Sequence, residues 1–258
     1  MSVPRPSPPR RLTLAHLVTS VAELTGAQLD GDPSTLVSGV SLDSREVQPG
    51  DLYAALPGAN SHGAAYAASV TDRATALLTD PVGLATARSA AVGLPAVVVP
   101  DPRAVLGFVA KELYGAAADR MAMLGITGTN GKTTTAYLVG SALGALGRSY
   151  GLVGTVETRV STPAGQERVP SVRTTPESPD LHALLAVMLE RGAQTCVMEV
   201  SSHALAQHRV DGVVYDVALF TNLSQDHLDY HRSMEDYFET KAALFTPHCN
   251  FGTEDAVA

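Results

Sequence analysis

The chain has 258 residues, 45% of them hydrophobic, enough to bury the cores of two domains of ordinary size. Its net charge of −8, with lysines and arginines scattered singly, argues against a nucleic-acid or membrane partner held by a basic patch; a phosphorylated ligand would need a local site. The two cysteines lack metal-type or disulfide spacing, and there is neither a run of about 18 apolar residues nor an apolar leader, so a cytoplasmic location is expected.

Residues 1–11, with Pro4, Pro6, Pro8 and Pro9, read as a solvated, disordered tail. Apolar residues at helical spacing predict a helix over 12–24, and turn residues at 30–33 lead to a strand over 37–42, followed by Asp43-Ser44-Arg45. A strand over 52–56, a helix over 64–74, strands over 76–79 and 96–99 and a helix over 102–114 complete a small mixed α/β unit. A polar break at 118–120 then precedes an apolar strand over 121–127 that runs into a glycine turn and a helix, which sets the domain boundary: 12–118 and 119–258. Apolar runs at 195–200 and 213–220 follow a helical stretch at 178–191, and this alternation predicts a mainly parallel sheet covered on both faces. The expected fold class is α/β, a small mixed α/β N-terminal domain followed by a P-loop-type, mainly parallel sheet domain.

The segment Gly125-Ile126-Thr127-Gly128-Thr129-Asn130-Gly131-Lys132-Thr133-Thr134 lies between strand and helix, the context a phosphate loop requires. Glycines let backbone N–H groups converge on phosphate oxygens, Lys132 can reach the β- and γ-phosphates, and the Thr133 hydroxyl can ligate Mg²⁺. The common spacing would put a glycine at Ile126; here the first glycine of the loop is displaced to Gly128. The plain alternative is an ordinary glycine-rich turn. Ligands of parallel sheets collect beyond the carboxyl ends of strands, where Glu199 follows the run Cys196-Val197-Met198 and His227 follows Val217-Ala218-Leu219-Phe220. A carboxylate and an imidazole beside a triphosphate are suitable Mg²⁺ ligands. Taken singly, each could equally be structural, and His16, His62, His182 and His248 carry no comparable context.

Together, Gly128-Thr129-Asn130-Gly131-Lys132-Thr133-Thr134 and Met198-Glu199-Val200-Ser201-Ser202-His203-Ala204-Leu205 resemble the Mur ligases, and within them the branch that adds the third amino acid to a peptidoglycan precursor. Leu42-Asp43-Ser44-Arg45, Pro49-Gly50-Asp51-Leu52, Thr174-Thr175-Pro176, Gln207-His208-Arg209-Val210 and the run from Phe220 to His231 extend the similarity over nearly all of the chain after the tail. The resemblance implies a UDP-sugar-binding N-terminal domain, an ATP-binding central domain and a C-terminal domain for amino-acid recognition. A chain that stops at Ala258 is then expected to be truncated within its central domain and to have little ligase activity alone.

The resemblance also implies roles. ATP is expected at Gly128, Thr129, Asn130, Gly131, Lys132, Thr133 and Thr134. Leu42 and Ser44, with the 58–61 loop nearby, are expected to contact the uridine diphosphate, and Thr174, Thr175, Ser201, Gln207 and Arg209 to hold the sugar-peptide. Lys241 resembles a lysine that these enzymes carbamylate, which turns an ammonium into an oxygen ligand for a second Mg²⁺. The metal set is then Thr133, Glu199, His227 and Lys241 as its carbamate, and the catalytic set Lys132, His227 and Lys241. The expected partners of a monomeric enzyme are UDP-N-acetylmuramoyl-dipeptide and an amino acid, diaminopimelate rather than lysine. The rival readings are another Mur or folylpolyglutamate-type ligase, and a nucleotide-binding module without ligase chemistry.

Overall fold

The computed structural model describes residues 3–169, 173–226 and 230–246. The chain folds as two compact units, one of Ser7–Gly115 and one that joins the residues before Ser7 to those from Ala116 onward.

In the first unit Thr13 decides where the opening helix starts. Residues 12 and 13, expected within that helix, form strand β1 (Leu12–Thr13), and α1 (Leu14–Thr25) follows. The backbone of Thr13 is extended and its hydroxyl accepts the N–H of His16 at 3.2 Å, so the residue caps the helix from outside. Arg10, in the segment expected as a tail, donates to the carbonyl of Glu112 at 3.0 Å.

Strand β2 (Gln28–Asp30) precedes the stretch expected as one strand over 37–42, which is split into β3 (Leu36–Val37) and β4 (Gly39–Ser41). The split falls at Ser38, whose N–H and hydroxyl both donate to the carbonyl of Gly50, at 2.9 and 3.3 Å. β5 (Asp51–Ala54), β6 (Ala74–Thr79) and β7 (Ala96–Val98) complete a five-stranded sheet of order β2-β7-β6-β5-β4, parallel except where β2 meets β7. Between β5 and β6, residues 63–70 form a 3-10 helix where an α-helix was expected over 64–74. Its buried residues, Ala64, Ala67 and Val70, recur every three positions, the period of the tighter helix, and Ala74 already belongs to β6. Two Asp-Pro pairs start the remaining helices, α2 (Pro81–Ser89) and α3 (Pro102–Leu113). In each the aspartate accepts first-turn N–H groups and the proline fills a position that needs none.

The second unit runs β8 (Ala122–Thr127), α4 (Lys132–Ala145), β9 (Tyr150–Val153), β10 (Thr158–Thr162), β11 (Gly165–Val169), α5 (Ser178–Glu190), β12 (Thr195–Glu199), α6 (Ser202–Ala206), β13 (Val217–Phe220) and α7 (Met234–Ala242). Its sheet has the order β11-β10-β9-β12-β8-β13; β9, β12, β8 and β13 are parallel, and β10 and β11 form an antiparallel hairpin at one edge. The strand expected over 213–220 starts only at Val217. Just before it, Asp216 takes both backbone groups of Met123, donating to the carbonyl at 2.9 Å and accepting the N–H on its carboxylate at 2.7 Å.

Small residues let helices cover both faces of this sheet. On one face α4 packs Ala136, Tyr137, Val139 and Leu143 against Ile126, Tyr150, Leu152 and Val197. On the other, α5 brings Met188 so close to β9 that a side-chain carbon on Gly151 would lie 2.3 Å from its sulfur. Each fully buried Leu, Val or Met here contributes about 1.5–3 kcal/mol.

The connections fix where a ligand can sit. From β8 the chain crosses to β9 on one side, and from the adjacent β12 it crosses to β13 on the other, so a crevice opens between the carboxyl ends of β8 and β12.

Candidate functional site

Strand β8 delivers the loop 128–131 to this crevice, and α4 begins at Lys132. Ile126, the position where the common spacing has a glycine, is buried and still paired within β8, so the turn starts later, at Gly128. Gly128 has φ +136°, and a side-chain carbon there would lie 2.0 Å from Thr221 Oγ1, so only glycine fits. Gly131, at φ +86°, stands at the N-cap without a capping side chain. The first helical N–H to close is that of Thr135, onto the carbonyl of Gly131 at 2.9 Å. The N–H groups of residues 132–134 therefore have no acceptor within the helix and form a positive end that suits phosphate oxygens.

The segment after β13 holds this loop in shape. Asn222 accepts the N–H of Thr129 on its carbonyl at 2.9 Å and that of Asn130 on Oδ1 at 3.0 Å. Thr221 donates its hydroxyl to the carbonyl of Asn130 at 2.7 Å, and the Thr129 hydroxyl exchanges hydrogen bonds with the backbone of Ser224. Sequence reasoning singled out this stretch for His227 and assigned no role to Thr221 or Asn222. Two polar residues directly behind an apolar strand were the available signal.

Glu199, the last residue of β12, lies opposite Ile126 and is 1% exposed. Its Oε2 accepts the hydroxyl of Thr133 at 2.9 Å and that of Thr155 at 3.2 Å, and its Oε1 accepts the N–H of Thr155 at 3.0 Å. Adjacent Gly154 makes room: a side-chain carbon there would lie 2.4 Å from Oε1. Among the described residues no three His, Cys, Asp or Glu converge as metal ligands. What converges is a carboxylate with two hydroxyls, an oxygen set that suits a hard divalent cation. His227, expected as a further ligand, lies outside the described residues, as does His248.

Two lysines meet at the loop. Lys132 donates its ammonium to the carbonyls of Gly128 and Thr129, both at 2.8 Å, and Lys241, from the last turn of α7, donates to the carbonyl of Gly128 at 2.9 Å. Lys241 is buried, with its Nζ 4.5 Å from the centre of the Tyr237 ring. Burial first, and then the charge of Lys132, pulls its pKa down from 10.5 to about 8, against the opposing pull of Asp226. Lys132 is also below the ordinary lysine range because of burial, with Glu199 and Asp226 opposing.

Helix α7 is fixed by its own start. Ser233 caps it, and the Tyr237 hydroxyl lies 3.3 Å from Thr129 Oγ1. Buried His231 reaches Ser202 Oγ with Nε2 at 3.0 Å and lies 3.4 Å from Asp236 Oδ2 through Nδ1, which ties α6 to α7.

Of the residues expected to hold a sugar-peptide, Thr174, Thr175, Ser201, Gln207 and Arg209 form one network in this unit. Thr174 Oγ1 lies 3.0 Å from Thr155 Oγ1. Thr175 donates its hydroxyl to the carbonyl of Glu199 at 2.9 Å and accepts the N–H of Ser201 at 3.2 Å. Arg209 donates to Gln207 Oε1 at 2.5 Å and pairs with Glu177 at 3.0 Å. In the first unit, Leu42 and Ser44 lie half-buried in the loop just past β4, where Asp43 accepts from Arg45. His16, His62 and buried His182 have structural partners: Glu112, Asp80 and the carbonyl of Asp211 in turn.

Comparison with known proteins gives this arrangement a family. Residues 126–253 match the Mur ligase middle domain, and residues 36–114 match the description "Mur ligase family, catalytic domain". A UDP-N-acetylmuramoyl-L-alanyl-D-glutamate--2,6-diaminopimelate ligase of Streptomyces coelicolor is 52% identical over 248 residues, 96% of this chain and 47% of the relative. A UDP-N-acetylmuramyl-tripeptide synthetase of Leifsonia xyli is 48% identical over 94% of the chain and 46% of its own length. The chain thus spans about half the length of the curated relatives it matches. Among solved structures, a UDP-N-acetylmuramoyl-L-alanyl-D-glutamate--2,6-diaminopimelate ligase superposes with a TM-score of 0.69 at 27% identity, covering 92% of this chain and 45% of that one. MurF from Acinetobacter baumannii shares the fold, with a TM-score of 0.61 at 20% identity over 94% of this chain and 48% of that one. The chain belongs to the Mur ligase family.

Proposed function

We propose that this chain supplies the UDP-sugar-binding part, residues 12–118, and the ATP-binding part, residues 119–258, of a monomeric cytoplasmic MurE-type ligase. Such an enzyme joins diaminopimelate to UDP-N-acetylmuramoyl-L-alanyl-D-glutamate during peptidoglycan synthesis. The observation that carries this reading is the Thr133 hydroxyl 2.9 Å from Glu199 Oε2 at the head of the phosphate loop, in a chain whose curated relatives bear that ligase name. A carboxylate is a poor electrophile at neutral pH. The terminal carboxylate oxygen of the acceptor therefore attacks the γ-phosphorus of ATP and releases ADP. The amine of the amino acid then attacks the carbonyl carbon of the acyl phosphate, and collapse of the tetrahedral species expels phosphate.

In this reading Lys132 leaves its loop carbonyls to neutralise charge on the transferring phosphoryl group, while the N–H groups at the start of α4 hold the phosphates. Leu42 and Ser44 contact the uridine diphosphate, and Thr174, Thr175, Ser201, Gln207 and Arg209 hold the sugar-peptide. Magnesium, when bound, supplies further charge neutralisation. The oxygen set of Glu199 and Thr133 fits it, with His227 as a further ligand and Lys241, as its carbamate, for a second ion. Isothermal titration with Mg²⁺·ATP and with the UDP-N-acetylmuramoyl-dipeptide tests the reading. Both ligands are expected to bind, with ATP binding lost in Lys132→Ala. Binding of ATP alone would leave a nucleotide module, and binding of neither would end the proposal.

A further inference from the structure

We infer that Thr155 is a positioning residue that fixes the carboxylate of Glu199 and links it through one hydroxyl chain to Thr174. This rests on the nucleotide and metal reading above. Among the described residues Thr155 contributes two of the three hydrogen bonds to the Glu199 carboxylate, one from its N–H and one from its hydroxyl, and thereby engages both carboxylate oxygens. The two oxygens of this 1% exposed group cannot rotate without breaking one of those bonds.

The direction of the chain follows from counting protons. The Thr155 hydroxyl has one hydrogen and, among the described residues, two hydrogen-bonding neighbours, Glu199 Oε2 at 3.2 Å and Thr174 Oγ1 at 3.0 Å. A carboxylate only accepts, so Thr155 donates to Glu199 and Thr174 donates to Thr155. Thr133 donates to Glu199 from the opposite side, at 2.9 Å. The order Thr174 to Thr155 to Glu199 therefore runs from a residue expected at the sugar-peptide to the carboxylate expected at the metal. Such supporting contacts typically hold about 10–100-fold in metal affinity.

The test uses the chain with Mn²⁺ as the probe, counted by electron paramagnetic resonance in the presence of ADP, and with ADP affinity measured separately without metal. Thr155→Val, which replaces the hydroxyl with a methyl group of similar size, is expected to weaken Mn²⁺ binding about tenfold, with metal-free ADP affinity unchanged. Thr155→Ser should restore parental Mn²⁺ binding. Thr155→Ala provides a second hydroxyl-free variant should valine not fold. Parental Mn²⁺ affinity in either hydroxyl-free variant overturns the inference, as does a serine variant as weak as valine. If the parent binds neither ADP nor Mn²⁺·ADP, the nucleotide reading falls and this inference with it. Binding by the parent that Lys132→Ala loses and Thr155→Val keeps in full defeats the inference alone.

Discussion

Lys132 and Lys241 donate to the same acceptor, the carbonyl oxygen of Gly128, at 2.8 and 2.9 Å. Burial of its ammonium first, and then repulsion from the Lys132 ammonium on the same oxygen, brings Lys241 down to about 8. At that pKa about one amine in ten is neutral at pH 7, against fewer than one in a thousand for an ordinary lysine. Only the neutral amine attacks carbon dioxide. The chain in ¹³C-bicarbonate at pH 8 is therefore expected to show a carbamate carbon resonance that Lys241→Met lacks. A parental spectrum with no such resonance, or one that survives the substitution, would remove the modification from the proposal.

The same shift has a consequence for stability. The folded-state pKa of Lys241, about 8, lies below its ordinary value of 10.5, so between those two values the unfolded chain binds the extra proton. The penalty for burying the charge is present in full below pH 8 and is relieved as pH rises toward 10.5. Cys196, raised to about 12 by burial, acts in the opposite sense, but it is common to parent and variant. Urea denaturation of both across pH 7–10 should show the parent gaining on Lys241→Met. Parallel profiles would contradict the shift.

Gly128→Ala forces a side-chain carbon to within 2.0 Å of Thr221 Oγ1 at a φ of +136°. Backbone strain of about 1–3 kcal/mol is expected, together with loss of nucleotide binding, because relief of the clash moves the loop off Thr221 and Asn222. Gly147→Ala, at φ +68° with nothing within 4 Å, has strain without the clash and is the control. Equal nucleotide affinity in the two variants would count against the loop geometry.

His231→Ala breaks the tie from Ser202 to Asp236 and leaves the buried Ser202 hydroxyl without that partner. A loss of about 1–3 kcal/mol is expected on chemical denaturation. Hydrogen exchange should accelerate in α7, which carries Lys241, and stay at the parental rate in β9, which lies across the sheet. Uniform acceleration would show that the contact stabilises the fold without fixing the helix.

The glycine turn between β8 and α4, and the position of Glu199 at the end of β12, are legible in the sequence because a strand-turn-helix and a carboxylate ending an apolar run are both local patterns. The helix starts at Pro81 and Pro102 are legible too, since cap and proline are adjacent letters, although only the second was read as a helix. Thr155 is not. It sits in the unmarked run Gly154-Thr155-Val156, and its acceptor Glu199 is 44 positions away, brought near only by the pairing of β9 with β12. The hairpin of β10 and β11 escaped notice for a different reason. It is an edge element whose outer strand, with Gln166, Glu167 and Arg168 exposed, has no apolar alternation to detect. The 3-10 helix at 63–70 shows the limit of periodicity itself, because a run of alanines carries three-fold and 3.6-fold spacings equally well.

The most direct measurement is a crystal structure of the chain soaked with Mg²⁺ and ADP. Phosphate oxygens are expected on the N–H groups of residues 132–134, the ammonium of Lys132 turned from the carbonyls of Gly128 and Thr129 toward phosphate, and the cation held by Thr133 and Glu199. Nucleotide bound away from this loop, or a cation with neither Thr133 nor Glu199 in its shell, would contradict the assignment of this crevice as the nucleotide and metal site.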